Sequence, residues 1–303
     1  LVSLAVDVAG LKLRNPTMLA SGLGLTGGIM KEVYRSGAGA VVSKSAGVTP
    51  RNGYPGPTIV EVESGLLNAI GLANPSISEM GQEFEDLKKN GIPLIASVFG
   101  YTAREFSEAA VIAERYGADA IELNVSCPHV EGIMEIGRNP TLVRRITQAV
   151  RKKVGIPVFV KLSPNVSDIV QIGLAAEKAG ADALTAINTV SGMAIDVDLQ
   201  IPVLAAKFGG LSGPAIRPVA VRCLYQLAEA VKIPLIGAGG VSSPRDALEL
   251  ILAGATAVQV GTAILYKQLT VFEEICDGLT KYMQNRGIDS ISELVGAAHK
   301  KKS

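Results

Sequence analysis

The chain has 303 residues, 48% of them apolar, and a formal charge of +1, so it can bury a large core. It shows no sustained basic stripe of the kind that binds nucleic acid. No apolar stretch approaches the length needed to cross a bilayer, and no charged n-region precedes an apolar h-region, so a cytoplasmic protein away from membranes is expected.

The three cysteines, Cys127, Cys223 and Cys276, are widely separated and odd in number. That argues against a disulfide scaffold and for a reducing compartment. Iron–sulfur clusters usually take four thiolates, so this chain alone is not expected to hold one. The Lys300–Lys302 run reads as a solvated tail.

Two phrases alternate along the chain. One is Gly-Ala-x-Ala before an apolar run, at Gly37, Gly117, Gly180 and Gly254. The other is Ile-Pro before an apolar run, at Ile92, Ile156 and Ile233, with Asn15-Pro16 as an N-terminal counterpart. Glycine suits the left-handed end of a helix, and proline suits the first residue of a strand. Each interval accommodates a strand, a helix and two turns. The repetition predicts parallel strands at Thr17–Ala20, Ala40–Ser43, Leu94–Val98, Ala120–Val125, Val158–Leu162, Ala183–Asn188, Leu235–Ala238 and Ala257–Val260. These nearly continuous apolar runs suit strands buried on both faces. Helices are expected between them, as at Ala103–Tyr116 and at Pro244–Leu252, where Ser243 and Pro244 make a cap followed by proline. The expected fold is one α/β domain over residues 1–303, a (β/α)₈ TIM barrel.

Two connections are longer than a barrel needs. One holds the alternating segment Thr58–Glu63 and then Leu66–Leu72. The other, Ile195–Gly213, begins with the alternating run Ile195–Leu199. Both follow strands, so hairpin-like insertions are expected over the C-terminal face, where barrels build active sites.

The expected strand ends present Ser21, Lys44, Ser97, Asn124 with Cys127, Lys161, Asn188 with Thr189, Gly239 with Gly240, and Gly261 with Thr262. The last two glycine loops match the place where barrels bind phosphate. A lysine at a buried strand end needs a partner. Lys161 fits a Schiff-base lysine, and Lys44 and Lys161 equally fit positive charge beside a flavin. Cys127 precedes a proline on a loop at the reactive face, and the stretch from Gly132 to Gly137 reads as a mobile flap. Cys223 and Cys276 lie in helical patterns and read as buried hydrophobes. With His129 and His299 the only histidines, neither a Ser-His-Asp triad nor a metal cluster is indicated. No GxGxxG fingerprint follows an opening strand.

Together these phrases resemble the dihydroorotate dehydrogenase family over essentially the whole chain. The matching segments are Ala20-Ser21-Gly22, Ser43-Lys44-Ser45, Asn68-Ala69-Ile70-Gly71-Leu72, Asn124-Val125-Ser126-Cys127-Pro128, Val160 to Asn165, and Ile187-Asn188-Thr189. Gly210 to Pro214, Gly237 to Val241 and Val260-Gly261-Thr262 complete the set. The resemblance implies FMN, with its phosphate at Gly239, Gly240, Gly261 and Thr262. Ser21, Lys44, Ser45, Asn124, Lys161, Ile187 and Gly213 match the remaining flavin contacts. Substrate contacts match Lys44, Asn68, Ala69, Ile70, Gly71, Leu72, Asn124, Asn188 and Thr189. Cys127 matches the base that takes a proton from C5 of dihydroorotate as hydride leaves C6 for the flavin.

The cysteine base points away from the membrane-associated class of the family, and the Asn-Ala-Ile-Gly-Leu and Gly-Gly-Leu-Ser-Gly-Pro-Ala phrases resemble the class 1B catalytic subunit. That implies a homodimer joined to an electron-transfer subunit carrying FAD and a [2Fe–2S] cluster, with NAD⁺ as final acceptor. Two positions depart from the family pattern: Ser97 stands where a flavin-contacting asparagine is common, and so does His129 for a second asparagine. Cys-Pro-His also occurs in dihydropyrimidine dehydrogenases, the nearest alternative; a lyase acting through Lys161 is the other.

Overall fold

The computed structural model describes residues 2–126 and 133–300. Eight strands follow in chain order: β1 Thr17–Gly24, β2 Ala40–Ser43, β3 Leu94–Val98, β4 Ala120–Asn124, β5 Val158–Leu162, β6 Ala183–Ala186, β7 Leu235–Ala238 and β8 Ala255–Val260. Each pairs in parallel with its sequence neighbour, and β8 pairs with β1 through Val258↔Thr17 and Gln259↔Met18, which closes the barrel. The (β/α)₈ expectation is met. The predicted strands agree with these except at their ends: β1 runs on to Gly24, β8 begins two residues earlier at Ala255, and β4 and β6 stop at Asn124 and Ala186.

The punctuation works as the sequence suggested. Gly37, Gly117, Gly180 and Gly254 all have positive φ, between +91° and +125°, just after a helix. A side chain at these turns would be strained. Several helices start on side-chain caps. Thr102 accepts from the Glu105 N–H at 3.2 Å before Ala103–Arg115, and Ser243 accepts from the Asp246 N–H at 3.2 Å before Pro244–Leu252. Such caps satisfy N–H groups that the first turn leaves unpaired. The buried faces of these helices join the strands in one large apolar core.

The two long insertions do more than form separate hairpins. Ile59–Val62 and Gly65–Asn68 make a hairpin in the first, and Gly209–Ser212 of the second pairs with Val190–Gly192, a strand that lies just before the predicted insertion. Gly209–Ser212 then pairs with Gly65–Asn68, so both insertions share one four-stranded antiparallel sheet. This sheet is called the cap below. The alternating run Ile195–Leu199 is a strand only at Ile195–Asp196, which pairs with Ile201–Pro202. The Asp196 carboxylate accepts the N–H groups of Asp198 and Leu199 at 3.0 and 2.9 Å, so a local turn replaces the strand.

Candidate active site

A cavity of about 250 Å³ opens at the C-terminal ends of the barrel strands, beneath the cap. Of the residues singled out above, Ser21, Lys44, Ser45, Asn124, Lys161, Ile187, Asn188, Thr189, Gly239, Gly240, Gly261 and Thr262 line it from the barrel side. Asn68, Ile70, Gly71, Leu72 and Gly213 line it from the cap side. Ala69 does not reach it. This residue is buried against Leu67 and Leu204 in the small core of the cap. Cys127 and His129 lie outside the described residues.

Hydrogen bonds fix the polar wall. Ser45 Oγ lies 3.1 Å from Ser21 Oγ and 2.8 Å from Ser97 Oγ, and it accepts from Asn124 Nδ2 at 2.9 Å. Ser97 is wholly buried behind Ser45 and does not line the cavity, so it supports a lining residue instead of touching a ligand. Asn188 Nδ2 donates to Ser126 Oγ at 2.8 Å, and the Ser126 N–H donates to Asn124 Oδ1 at 3.4 Å. The residue immediately before Cys127 is thereby held between two lining asparagines.

The floor carries a feature that the strand-end reading missed. Lys161 Nζ donates to Gln259 Oε1 at 2.8 Å and faces Glu122 Oε1 at 3.5 Å. Glu122 Oε2 accepts from Gln259 Nε2 at 2.7 Å and from Thr185 Oγ1 at 2.9 Å. Glu122 and Thr185 are fully buried, and Gln259 lines the cavity. The available signal was a polar residue inside an otherwise apolar strand, as in Ala-Ile-Glu-Leu-Asn and Ala-Val-Gln-Val-Gly.

One end of the cavity offers bare backbone. Gly239 and Gly240 have φ of +125° and +75°, and a Cβ on Gly240 would sit 2.6 Å from Arg217 Cβ. The backbone N–H groups of Gly239, Gly240, Gly261 and Thr262 find no acceptor among the described residues. Unpaired N–H groups beside a cavity suit a phosphate, and the two lysines and amide side chains suit a heterocycle whose edge carries carbonyl and ring-nitrogen acceptors. The residues present therefore fit FMN.

The other described thiols have the surroundings of hydrophobes. Burial pushes Cys276 up to about 11, and burial likewise raises Cys223. Among the described residues, no group of three or more His, Cys, Asp or Glu side chains could hold a metal ion. His299 stacks on Tyr225, with ring centroids 3.9 Å apart. Of the expected flap, the part after Gly132 is helical, at Ile133–Arg138. Gly137 sits so close to β4's continuation that an added Cβ would lie 2.5 Å from the Val125 carbonyl oxygen. The beginning of that segment, at Gly132, lies outside the described residues. No helix among the described residues is long and apolar enough to cross a membrane.

The family model for dihydroorotate dehydrogenase matches residues 3–283. The chain belongs to the dihydroorotate dehydrogenase family. It is thus an oxidoreductase, as the ordered motifs implied. A relative from Methanosarcina mazei, described as dihydroorotate dehydrogenase B (NAD(+)), catalytic subunit, is 52% identical over 300 residues, covering 98% of this chain and 95% of its own. One from Pyrococcus abyssi with the same description is 48% identical over 301 residues, covering 98% of this chain and 99% of its own. A crystal structure of an Eimeria tenella dihydroorotate dehydrogenase in complex with ferulenol superposes with a TM-score of 0.88 at 21% identity, covering 98% of this chain and 89% of that one. This last likeness concerns the fold alone. Family membership sets aside the lyase reading of Lys161, whose ammonium is in any case held by Gln259 and Glu122.

Proposed function

We propose that this chain is the catalytic subunit of a class 1B enzyme, one FMN-binding barrel over residues 1–303, that oxidises (S)-dihydroorotate to orotate in the making of UMP. The observation that carries this reading is one cavity that gathers two lysines, three asparagines and four unpaired backbone N–H groups. When bound, FMN supplies the two-electron acceptor for the hydride that leaves C6 of the substrate.

The chain's own residues do the rest. Gly239, Gly240, Gly261 and Thr262 hold the phosphate through backbone donors. Ser21, Lys44, Ser45, Asn124, Lys161, Ile187 and Gly213 surround the flavin ring. Asn68, Asn124, Asn188 and Thr189 offer donors and acceptors to the mixed edge of a pyrimidine. Lys44 offers positive charge to the substrate carboxylate, and Ile70, Gly71 and Leu72 close the substrate side. Cys127 as thiolate takes the proton from C5, so that loss of this proton and of the C6 hydride leaves a C5–C6 double bond. Anchoring of Ser126 by Asn124 and Asn188 supports a defined entry to that position.

The descriptions of the relatives support a second subunit and NAD⁺ as acceptor. On this reading the partner carries FAD and a [2Fe–2S] cluster, the chain pairs with a second copy, and the assembly works in the cytoplasm. The test is steady-state turnover of the purified flavin-loaded chain with dihydroorotate and, in turn, a dye, fumarate and NAD⁺. Dye reduction is expected, and NAD⁺ reduction only once the partner subunit is added. Fast NAD⁺ reduction by the chain alone overturns the class, and fast fumarate reduction moves it to another. Cys127→Ala is expected to keep FMN and bind orotate while losing most turnover at neutral pH, with Cys127→Ser recovering some at high pH; wild-type turnover in Cys127→Ala removes the base assignment.

A further inference from the structure

We propose that Glu122 is a positioning residue that holds Lys161 as an oriented, charge-compensated ammonium and so keeps the potential of the bound flavin low. The proposal rests on the FMN reading above. Strand alternation puts Glu122 on the same face of β4 as Asn124, one layer deeper in the barrel. Asn124 and Lys161 line the cavity, and Glu122 does not.

A buried carboxylate is costly, and it persists only where geometry and hydrogen bonds offset the loss of water. Here three strands supply the compensation: Lys161 from β5, Thr185 from β6 and Gln259 from β8. Gln259 bridges the pair, accepting from the ammonium and donating to the carboxylate. Packing alone gives no reason for this arrangement, because apolar side chains of similar volume fill a barrel interior at no loss of stability. What distinguishes the cluster is that its upper members face the cavity. An ammonium carries three donors. Gln259 and Glu122 engage two from below and leave the third for the cavity.

The electrostatic consequence has a sign. With Glu122 ionised, the floor presents a cation paired with an anion, and two-electron reduction brings added negative charge to that floor uncompensated. With a neutral isostere, the Lys161 charge stands alone and favours the reduced state. Glu122→Gln is therefore expected to shift the reduced-to-oxidised ratio of bound flavin at least tenfold, a potential rise of about 30 mV for a two-electron couple. The effect acts through Lys161, so in a Lys161→Met background the same substitution is expected to move the potential by much less.

The measurement is the potential of FMN bound to the full chain, titrated against a reference dye, for the wild type, the two single variants and the double variant. Glu122→Asp keeps the charge but withdraws it from the ammonium, so a smaller rise is expected; it carries the test alone if the glutamine variant does not fold. A rise that depends on Lys161 supports the proposal. Flavin bound with an unchanged or lowered potential, or an equal rise without Lys161, overturns it and leaves the FMN reading standing. A wild-type chain that binds no FMN overturns both.

Discussion

The barrel interior and the cap meet at one cavity, yet they are built on opposite principles. The barrel buries a single contiguous apolar core and encloses a satisfied polar cluster within it. The cap has a core of only three fully buried apolar side chains, Leu67, Ala69 and Leu204, and leaves Val197 80% and Phe208 63% exposed. Val190 and Leu211 pack it against the barrel core, and polar ties add to this, such as Thr262 Oγ1 donating to Ser212 Oγ at 2.8 Å and Tyr266 donating to Glu61 at 2.9 Å. The floor of the cavity thus sits within one continuous core, while its roof rests on a much smaller one. Regions with few buried contacts open locally at lower free energy than the core around them.

The largest expected effect breaks the floor. Phe159→Ala, on β5 two residues before Lys161, empties a fully buried site and is expected to cost about 3–5 kcal/mol of global stability. Chemical denaturation checks it, and the loss should appear in every spectroscopic probe at once because the barrel unfolds as one core.

Breaking the roof should look different. Leu67→Ala is expected to cost about 2 kcal/mol, at the low end for such a truncation, because the site borders only a small cluster. Hydrogen exchange should quicken at Gly65–Asn68 and Gly209–Ser212 while β4 and β5 amides keep their protection. Ligand affinity should fall with little change in the melting temperature. If Leu67→Ala instead lowers global stability as far as Phe159→Ala, the two regions are one cooperative unit and the contrast fails.

The smallest effect concerns a thiol inside the framework. With Cys276 held near 11, its thiolate fraction at neutral pH is small, so alkylation of the native chain at this position should be slow at pH 7 and should rise about tenfold per pH unit until it levels off near pH 11. Because this folded value lies above the ordinary one, the thiol's contribution to stability is whole below about pH 9 and is lost as pH rises through 11. Mass mapping of alkylated peptides checks the rate, and fast labelling at pH 7 would place Cys276 in a part that opens as readily as the roof.

Much of this molecule was determined by sequence alone. The alternation of Gly-Ala-x-Ala with Ile-Pro, or with Asn15-Pro16 in the first case, marks every quarter of the barrel, because helix ends and strand starts impose local backbone demands that glycine and proline meet without tertiary help. Much of the barrel-side lining was legible too, from Ser21 and Lys44 round to Gly261 and Thr262, since side chains at the C-terminal ends of consecutive parallel strands must converge once the barrel closes, whereas Asn68, Ile70, Gly71, Leu72 and Gly213 were named by the family resemblance alone. Three things were decided only in three dimensions. Gly65–Asn68 and Gly209–Ser212 are far apart in sequence, and nothing local in either segment names the other as its partner. Ala69 sits within a matching motif yet turns into the cap core, because its neighbours on the sheet set which face it shows. Glu122, Thr185 and Gln259 come from strands that are remote along the chain, and their shared depth in the barrel follows from the register of closure. Local chemistry can specify where a strand starts and ends, but which polar groups meet at its centre depends on the stagger of all eight strands.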